Sequence, residues 1–284
     1  MLKQNMQQSK IQQFFEQSSA SREKWKKRNR FYHRSLEKYC SLIIPQGERV
    51  LEEGCGMGDL LAAMKPSYGV GIDFAPTIIE KAQSKNPELT FITANAEDFC
   101  LEENFDYIIL SDLVGSLTDI QLVLHHIRKF CHSGTRLIIT NFNYLWEPIM
   151  KLGETFGVKL RQPNQNWISA ADLETLLYLE EFEVITTQKK ILFPKYIPVF
   201  NFIFNTVIAN LPLISSLNLI KISISRPFAI SDKQCSVSII IPARNEFGNI
   251  ENAILRVPEF GLSQEFIFID GPSKDNTYEE MMRV

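Results

Sequence analysis

From Arg49 onward the apolar positions switch repeatedly between two spacings. Short runs suited to buried strands, at 49–53, 69–73, 89–93, 105–110 and 134–140, alternate with stretches of helical period at 59–65, 76–84 and 119–131. Strand and helix in alternation predict a parallel sheet covered by helices on both faces. Gly134, between a helical stretch and an apolar run, reads as a helix stop. Ser169-Ala170-Ala171-Asp172 has the form of a capping box opening a helix to about Glu180. A strand at 182–187 follows, and 217–227 alternates strongly before stopping at Pro227. Between these last strands, 191–216 is rich in Phe, Ile, Val and Leu but is broken by Pro194, Lys195, Pro198, Asn201, Asn205, Asn210 and Pro212, with Asn201 and Asn205 expected one turn apart on an otherwise apolar helix. A bilayer span needs about 20 uninterrupted apolar residues. The expectation is therefore an insertion on the sheet edge that helps shape an acceptor pocket, with peripheral membrane contact as the alternative. Residues 1–40 are polar, then basic and aromatic, with Trp25, Phe31 and Tyr32 set among Arg22, Lys24, Lys26, Lys27, Arg28, Arg30 and Arg34. They read as a helix with a solvated basic face or, alternatively, as a lid over the site.

The turn after the first strand carries the chemistry. Its pattern is Glu52-x-Gly54-x-Gly56-x-Gly58, and the second strand ends on Asp73. A dinucleotide fingerprint fails here, because Asp59 or Leu61 stands where its third glycine belongs. Charge points the same way: a pyrophosphate wants bare amides and positive potential, whereas Glu52, Glu53 and Asp59 ring this loop. Such a site suits S-adenosylmethionine, which carries a sulfonium and an ammonium and no phosphate. Asp73 is placed to accept from ribose hydroxyls.

On these residues, 41–230 resembles a class I S-adenosylmethionine-dependent methyltransferase. The resemblance implies a Rossmann-like α/β fold, mostly parallel with an antiparallel last strand, and a cofactor pocket formed by Glu52, Gly54, Cys55, Gly56, Gly58, Asp73 and Phe74. It further implies adenine contacts from Asn95 and Ala96, in Ala94-Asn95-Ala96-Glu97-Asp98, and a methionine-end contact from Ser111. Asn95 stands where the family has Asp, and Glu53 where it has an aliphatic residue. Methyl transfer needs no metal, and none is expected. Asp112, Asn143 and Tyr144, after the fourth and fifth strands, are the catalytic candidates by position alone. His125, His126 and His132 read as helix-surface or helix-end residues, and Cys55 as a packing residue.

A short polar linker at 231–235 leads to a second signature. Ser236–Glu246 reads as a strand ending in Pro242-Ala243-Arg244-Asn245-Glu246, and a second strand ends in Asp270-Gly271-Pro272-Ser273-Lys274-Asp275-Asn276-Thr277. Residues 236–284 resemble the opening of a family 2 glycosyltransferase, in which Pro242, Ala243, Asn245, Glu246 and Asp270 would hold a nucleotide-sugar. The resemblance spans about 50 residues of a domain that needs a few times as many, so the front part of a longer two-enzyme polypeptide or a gene cut short is expected, with a βαβ decoration on the methyltransferase as the alternative.

Composition narrows the partners. A net charge of −3 gives no case for nucleic acid. Five scattered cysteines without a Cys-x-x-Cys argue for a reducing compartment. The polar start lacks a signal core, so a cytoplasmic protein is expected, with the inner membrane face as an option. The leading expectation is methyl transfer to a small-molecule, sugar or lipid-linked acceptor. The alternatives are a bifunctional protein whose main role is glycosyl transfer, and a non-catalytic cofactor-binding module.

Overall fold

The computed structural model describes residues 19–99, 101–156, 166–228, 236–259 and 263–284. The linker at 231–235 and the polar start lie outside them. Two compact units divide near Phe228.

In the first unit, helices α1 (Ser19–Arg28) and α2 (Arg30–Ile43) precede strand β1 (Arg49–Glu53), helix α3 (Asp59–Met64), strand β2 (Tyr68–Asp73), helix α4 (Pro76–Lys85) and strand β3 (Thr90–Thr93). Strand β4 (Phe105–Ser111), helix α5 (Ile120–Lys129), strand β5 (Cys131–Phe142), helix α6 (Glu147–Thr155), helix α7 (Ala170–Leu179), strand β6 (Phe182–Lys190) and strand β7 (Ile220–Pro227) complete it. The sheet order is β3-β2-β1-β4-β5-β7-β6. β1 to β5 pair in parallel, and β7 runs antiparallel to both β5 and β6. This is the Rossmann-like arrangement with an antiparallel last strand. Its order reverses between β1 and β4, which opens a crevice at their carboxyl ends.

Strand alternation divides the core. Leu51, Ile108, Leu110, Leu137 and Ile139 face α5 and α7 through Val123, Leu124, Ile127, Leu173 and Leu177. Val50, Ile109, Ile138, Ile220 and Ile222 face Leu36, Cys40 and Ile44 on the α2 side and Leu60, Leu61 and Met64 on the α3 side. Tyr32, Leu36 and Cys40, four apart, fix α2 on the sheet. Ser169 and Asp172 form the expected capping box on α7.

Gly134 is not the helix stop. α5 ends at Lys129, and Gly134 lies inside β5. The stop comes from strand pairing: Phe130 is buried, its carbonyl accepts from Phe105 N at 3.1 Å, and Cys131 is already in register with Phe105. His132 is therefore a strand residue, its Nε2 3.1 Å from Asp106 Oδ1.

The segment before β7 contains short helical turns rather than one helix. An α turn at Phe200–Phe202 passes into a π turn at Ile203–Val207 and then 3-10 turns. The asparagines hold it together from inside. Asn205 bonds Phe193 N at 2.8 Å and Phe193 O at 2.9 Å, while Asn201 bonds Ile197 N and, at 2.7 Å, Lys195 O.

Glu53 turns away from the crevice into the core. It is 0% exposed and neither carboxylate oxygen has a hydrogen-bond partner among the described residues. Burial holds its pKa well above the ordinary carboxylate range. The proton is thus retained in the fold and surrendered on unfolding, so the cost to stability grows as pH rises above about 4.5. Glu53→Leu should raise the urea midpoint at pH 8 by an amount worth about 1–3 kcal/mol, with a smaller gain at pH 5. An unchanged or lowered midpoint at pH 8 would refute this account of Glu53.

The second unit pairs β8 (Ser236–Ala243) in parallel with β9 (Ser263–Asp270), flanked by α8 (Ile250–Leu255) and α9 (Thr277–Arg283). Two strands cover little, and Ile240, Ile267 and Ile269 are exposed.

Candidate active site

A cavity of about 550 Å³ lies at the carboxyl ends of β1, β2, β4 and β5, a volume within the usual range for small-molecule sites. Glu52, Gly54, Cys55, Gly56, Asp73, Phe74, Ser111 and Asp112 line it. The glycine loop is shaped by backbone demands. Gly54, Gly56 and Gly58 have φ of +71°, +54° and +71°, values that disfavour side chains. A Cβ on Gly58 would come within 2.4 Å of the Phe91 ring, and one on Gly54 within 2.8 Å of Leu113. At Gly56 nothing among the described residues lies within 4 Å of such a Cβ. There the backbone borders open cavity, as a site for a closely approaching ligand requires. Gly58 does not line the cavity; it begins α3.

Two carboxylates organise the loop. Asp73 Oδ2 accepts from Gly56 N at 3.0 Å and Oδ1 from Ala75 N at 3.1 Å. Glu52, 2% exposed, accepts from Leu61 N at 3.0 Å. Burial raises the Glu52 pKa to about 8, against the pull of Lys26 and of the Leu61 amide. Cys55 is buried, and burial pushes its thiol well up. Its burial accords with the packing role expected of it.

Asp112 sits at φ +54°, a strained value for a side-chain-bearing residue. Thr140 supports it: Asp112 N donates to Thr140 Oγ1 at 3.0 Å, and Thr140 Oγ1 donates to Asp112 Oδ1 at 3.1 Å. Tyr32 Oη donates to Asp112 Oδ2, and burial, then the Asp112 charge, keeps the phenol protonated.

α1 and α2 supply one wall, with Trp25, Lys26, Asn29, Tyr32, His33 and Leu36. Lys26 and Lys85 both pair with Asp59, which ties α1 and α4 to the first turn of α3. His33 was not among the sequence candidates. Burial, then Lys26, lowers its pKa to about 4, so a neutral imidazole lines the cavity at physiological pH. The signal was the spacing of Trp25, Asn29, Tyr32, His33 and Leu36, which recurs at one helical face. Phe142, Trp146, Ile149, Met150, Trp167, Pro194 and Lys195 also line the cavity. All three tryptophans of the chain therefore border this cavity.

Four further expected contacts, besides Gly58, fall elsewhere. Asn143 is 1% exposed; its amide donates to Ser216 O at 2.7 Å and Asn218 O at 2.9 Å, so it is a structural clamp. Tyr144 is 44% exposed, with the Lys221 ammonium 5.3 Å from its ring, and does not line the cavity. Asn95 Oδ1 turns back to accept from Glu97 N at 3.1 Å, and neither Asn95 nor Ala96 is a lining residue. Phe74 lines the cavity as expected, and Ile78 and Leu113 line it in addition. His125 stands on the α5 surface, 3.1 Å from Glu180.

In the second unit the two landmark loops interlock at the carboxyl ends of β8 and β9. Asn245 N donates to Ser273 Oγ at 2.9 Å, Asn245 Oδ1 accepts from Lys274 N at 2.8 Å, and Glu246 N donates to Thr277 Oγ1 at 2.8 Å. Ser273 Oγ donates to Asp270 Oδ1 at 2.5 Å. Pro242 and Ala243 pair with Ile269 and Asp270.

Sheet order, glycine loop and the carboxylate ending β2 together define a Rossmann-like methyltransferase fold. A family model described as a methyltransferase domain matches residues 24–187, and the chain belongs to that family. A comparison with curated protein sequences finds no match. Among solved structures the chain is similar to an S-adenosylmethionine-dependent methyltransferase from Thermotoga maritima, at 19% identity and TM-score 0.57 over 66% of this chain and 89% of that one. It is similar also to the magnesium protoporphyrin IX methyltransferase of Synechocystis PCC 6803 with bound S-adenosylhomocysteine, at 16% identity and TM-score 0.55 over 78% and 99%. The same enzyme with bound S-adenosylmethionine gives TM-score 0.53 at 16% identity over 78% and 97%. These likenesses show the fold and leave the acceptor open. S-adenosylmethionine fits this site: open space at Gly56, buried carboxylate at Glu52 for a cation, and Asp73 at the end of β2.

Proposed function

We propose that this chain transfers a methyl group from S-adenosylmethionine to a hydroxyl or amine on an acceptor with a largely apolar body. The observation that carries the reading is convergence: Glu52, Gly56 and Asp73 share one cavity with Asp112, Tyr32 and His33. When bound, the cofactor supplies an electrophilic methyl carbon on a sulfonium. Glu52, Gly54, Cys55, Gly56, Asp73, Phe74 and Ser111 would hold it. The protein's own contribution is alignment and exclusion of water. The tryptophans, Phe142 and Met150 give the acceptor end its apolar walls. The unprotonated nitrogen of His33 takes the proton that the acceptor must lose. Tyr32, held by Asp112, keeps its hydroxyl proton and fixes the wall beside it.

A reducing, cytoplasmic setting is supported by the free thiols Cys40, Cys55 and Cys131. For residues 236–284 a nucleotide-sugar-binding beginning is supported by the interlocked Asn245 and Asp270 loops; glycosyl transfer is not assigned to this chain.

The test is transfer of labelled methyl from S-adenosylmethionine to a panel of amphiphilic alcohols and amines. Asp73→Ala should raise the KM for the cofactor at least tenfold. His33→Ala should lower kcat by about 10²–10⁴ while leaving S-adenosylhomocysteine affinity within threefold. Binding of NAD in place of S-adenosylhomocysteine would overturn the reading.

A further inference from the structure

The stretch between β6 and β7 is built inside out. Ten large apolar residues from Tyr196 to Leu217 are exposed, among them Val199 at 74%, Phe202 at 66% and Leu213 at 90%. Asn201, in contrast, is buried at 7%, its amide spent on the segment's own backbone. Soluble monomers seldom expose apolar surface in such concentration without a partner for it. The turns are too short and broken to cross a bilayer, and no described helix is long and apolar enough to do so.

Charge says what that partner is. From Val184 to Ser231 there is no Asp or Glu, while Lys189, Lys190, Lys195, Lys221 and Arg226 are present. A second basic run adjoins it. Lys24 to Leu36 holds six Lys or Arg and no acid, and Lys24, Arg28 and Arg30 are exposed. The two runs touch: Lys195 Nζ donates to Asn29 Oδ1 at 2.6 Å, and the Phe31 and Tyr196 rings lie 6.0 Å apart. Lys221 is buried and Arg226 pairs with Glu183, so the cations left facing outward are Lys189 and those of the 24–34 run. Exposed aliphatic and aromatic side chains beside such cations match a bilayer interface with anionic headgroups.

We propose that residues 196–217, together with the basic run at 24–34, form a docking surface for an anionic phospholipid bilayer. Phe202, Val199 and Leu213 enter the acyl boundary while Lys24, Arg28 and Arg30 meet the headgroups. Both parts also furnish cavity walls, Trp25 and Asn29 from one and, just before the other, Pro194 and Lys195. Docking therefore places the acceptor end of the site beside the lipid.

Co-sedimentation of the full chain with vesicles tests this independently of methyl transfer. Vesicles of phosphatidylcholine mixed with phosphatidylglycerol should bind at least tenfold more tightly than phosphatidylcholine alone, and high salt should weaken the binding. Phe202→Asp/Leu213→Asp and, separately, Lys24→Glu/Arg30→Glu should each weaken it at least tenfold. S-adenosylhomocysteine titration of both variants should match the wild type, which shows that they fold. Equal binding to the two vesicle types, or none, overturns the proposal. So does a dimer in sedimentation velocity that Phe202→Asp/Leu213→Asp dissolves, since the face would then be a self-contact. Loss of S-adenosylhomocysteine binding in the wild type would strike the methyl-transfer reading and leave the docking surface standing.

Discussion

Glu52→Gln should bind S-adenosylmethionine at least tenfold more weakly than the wild type at pH 9, yet melt higher than the wild type in its absence. Both effects come from one buried carboxyl whose pKa is raised to about 8. Without ligand, the folded state holds a proton that the unfolded state releases near the ordinary value of 4.5. Stability contributed by the neutral form is therefore lost as pH climbs from about 4.5 to 8, and the loss then levels off. The total approaches roughly 4–5 kcal/mol. Glutamine keeps an oxygen for the Leu61 amide and never ionises, so it escapes this loss. The ionised form is nonetheless the useful one, because a cationic ligand restores the charge balance of the crevice. Wild-type affinity should therefore rise as pH approaches 8, with about one proton released per ligand bound, and Glu52→Gln should show neither trend. Calorimetry in buffers of different ionisation enthalpy reads the proton directly. A flat wild-type profile from pH 6 to 9 would refute the role given to Glu52.

Gly56→Val should abolish cofactor binding to within measurement, a loss of at least a hundredfold or about 3 kcal/mol. Its cost to the fold should be smaller, about 1–2 kcal/mol for a left-handed φ bearing a side chain. The added group meets no atom of the described residues within 4 Å, so the molecule should fold around it and the volume it takes is the one proposed for the ligand. Gly58→Val offers the contrast. Its Cβ would meet Phe91 at 2.4 Å, so stability rather than binding should fail first. Thermal melts with and without S-adenosylhomocysteine separate the two. Near wild-type affinity in Gly56→Val would mean the cofactor does not pass over that glycine.

The sheet was legible because its signals are local. Period-two runs bounded by glycine and a serine–aspartate capping box are set within a few residues, and Cys131 to Phe142 departs only where pairing with Phe105 overrode a glycine. The gathering of Glu52, Gly54, Gly56 and Asp73 at one cavity was legible for the same reason, since they lie in one strand-turn-helix-strand unit. Long-range hydrogen bonding was not legible. Asn143 follows the right strand, yet its amide is committed to Ser216 and Asn218, more than 70 residues away. Asn95 occupies the adenine position by order in the chain, but a bond to the next turn withdraws its oxygen. His33 was hidden by its basic neighbours, because only burial against the cavity makes it neutral.

The placement of Trp25, Trp146 and Trp167 around one hollow gives this chain a built-in optical gauge. Its whole indole emission arises at the walls of one cavity, so candidate acceptors that enter it as proposed would be ranked by quenching of the unlabelled protein before any product is sought.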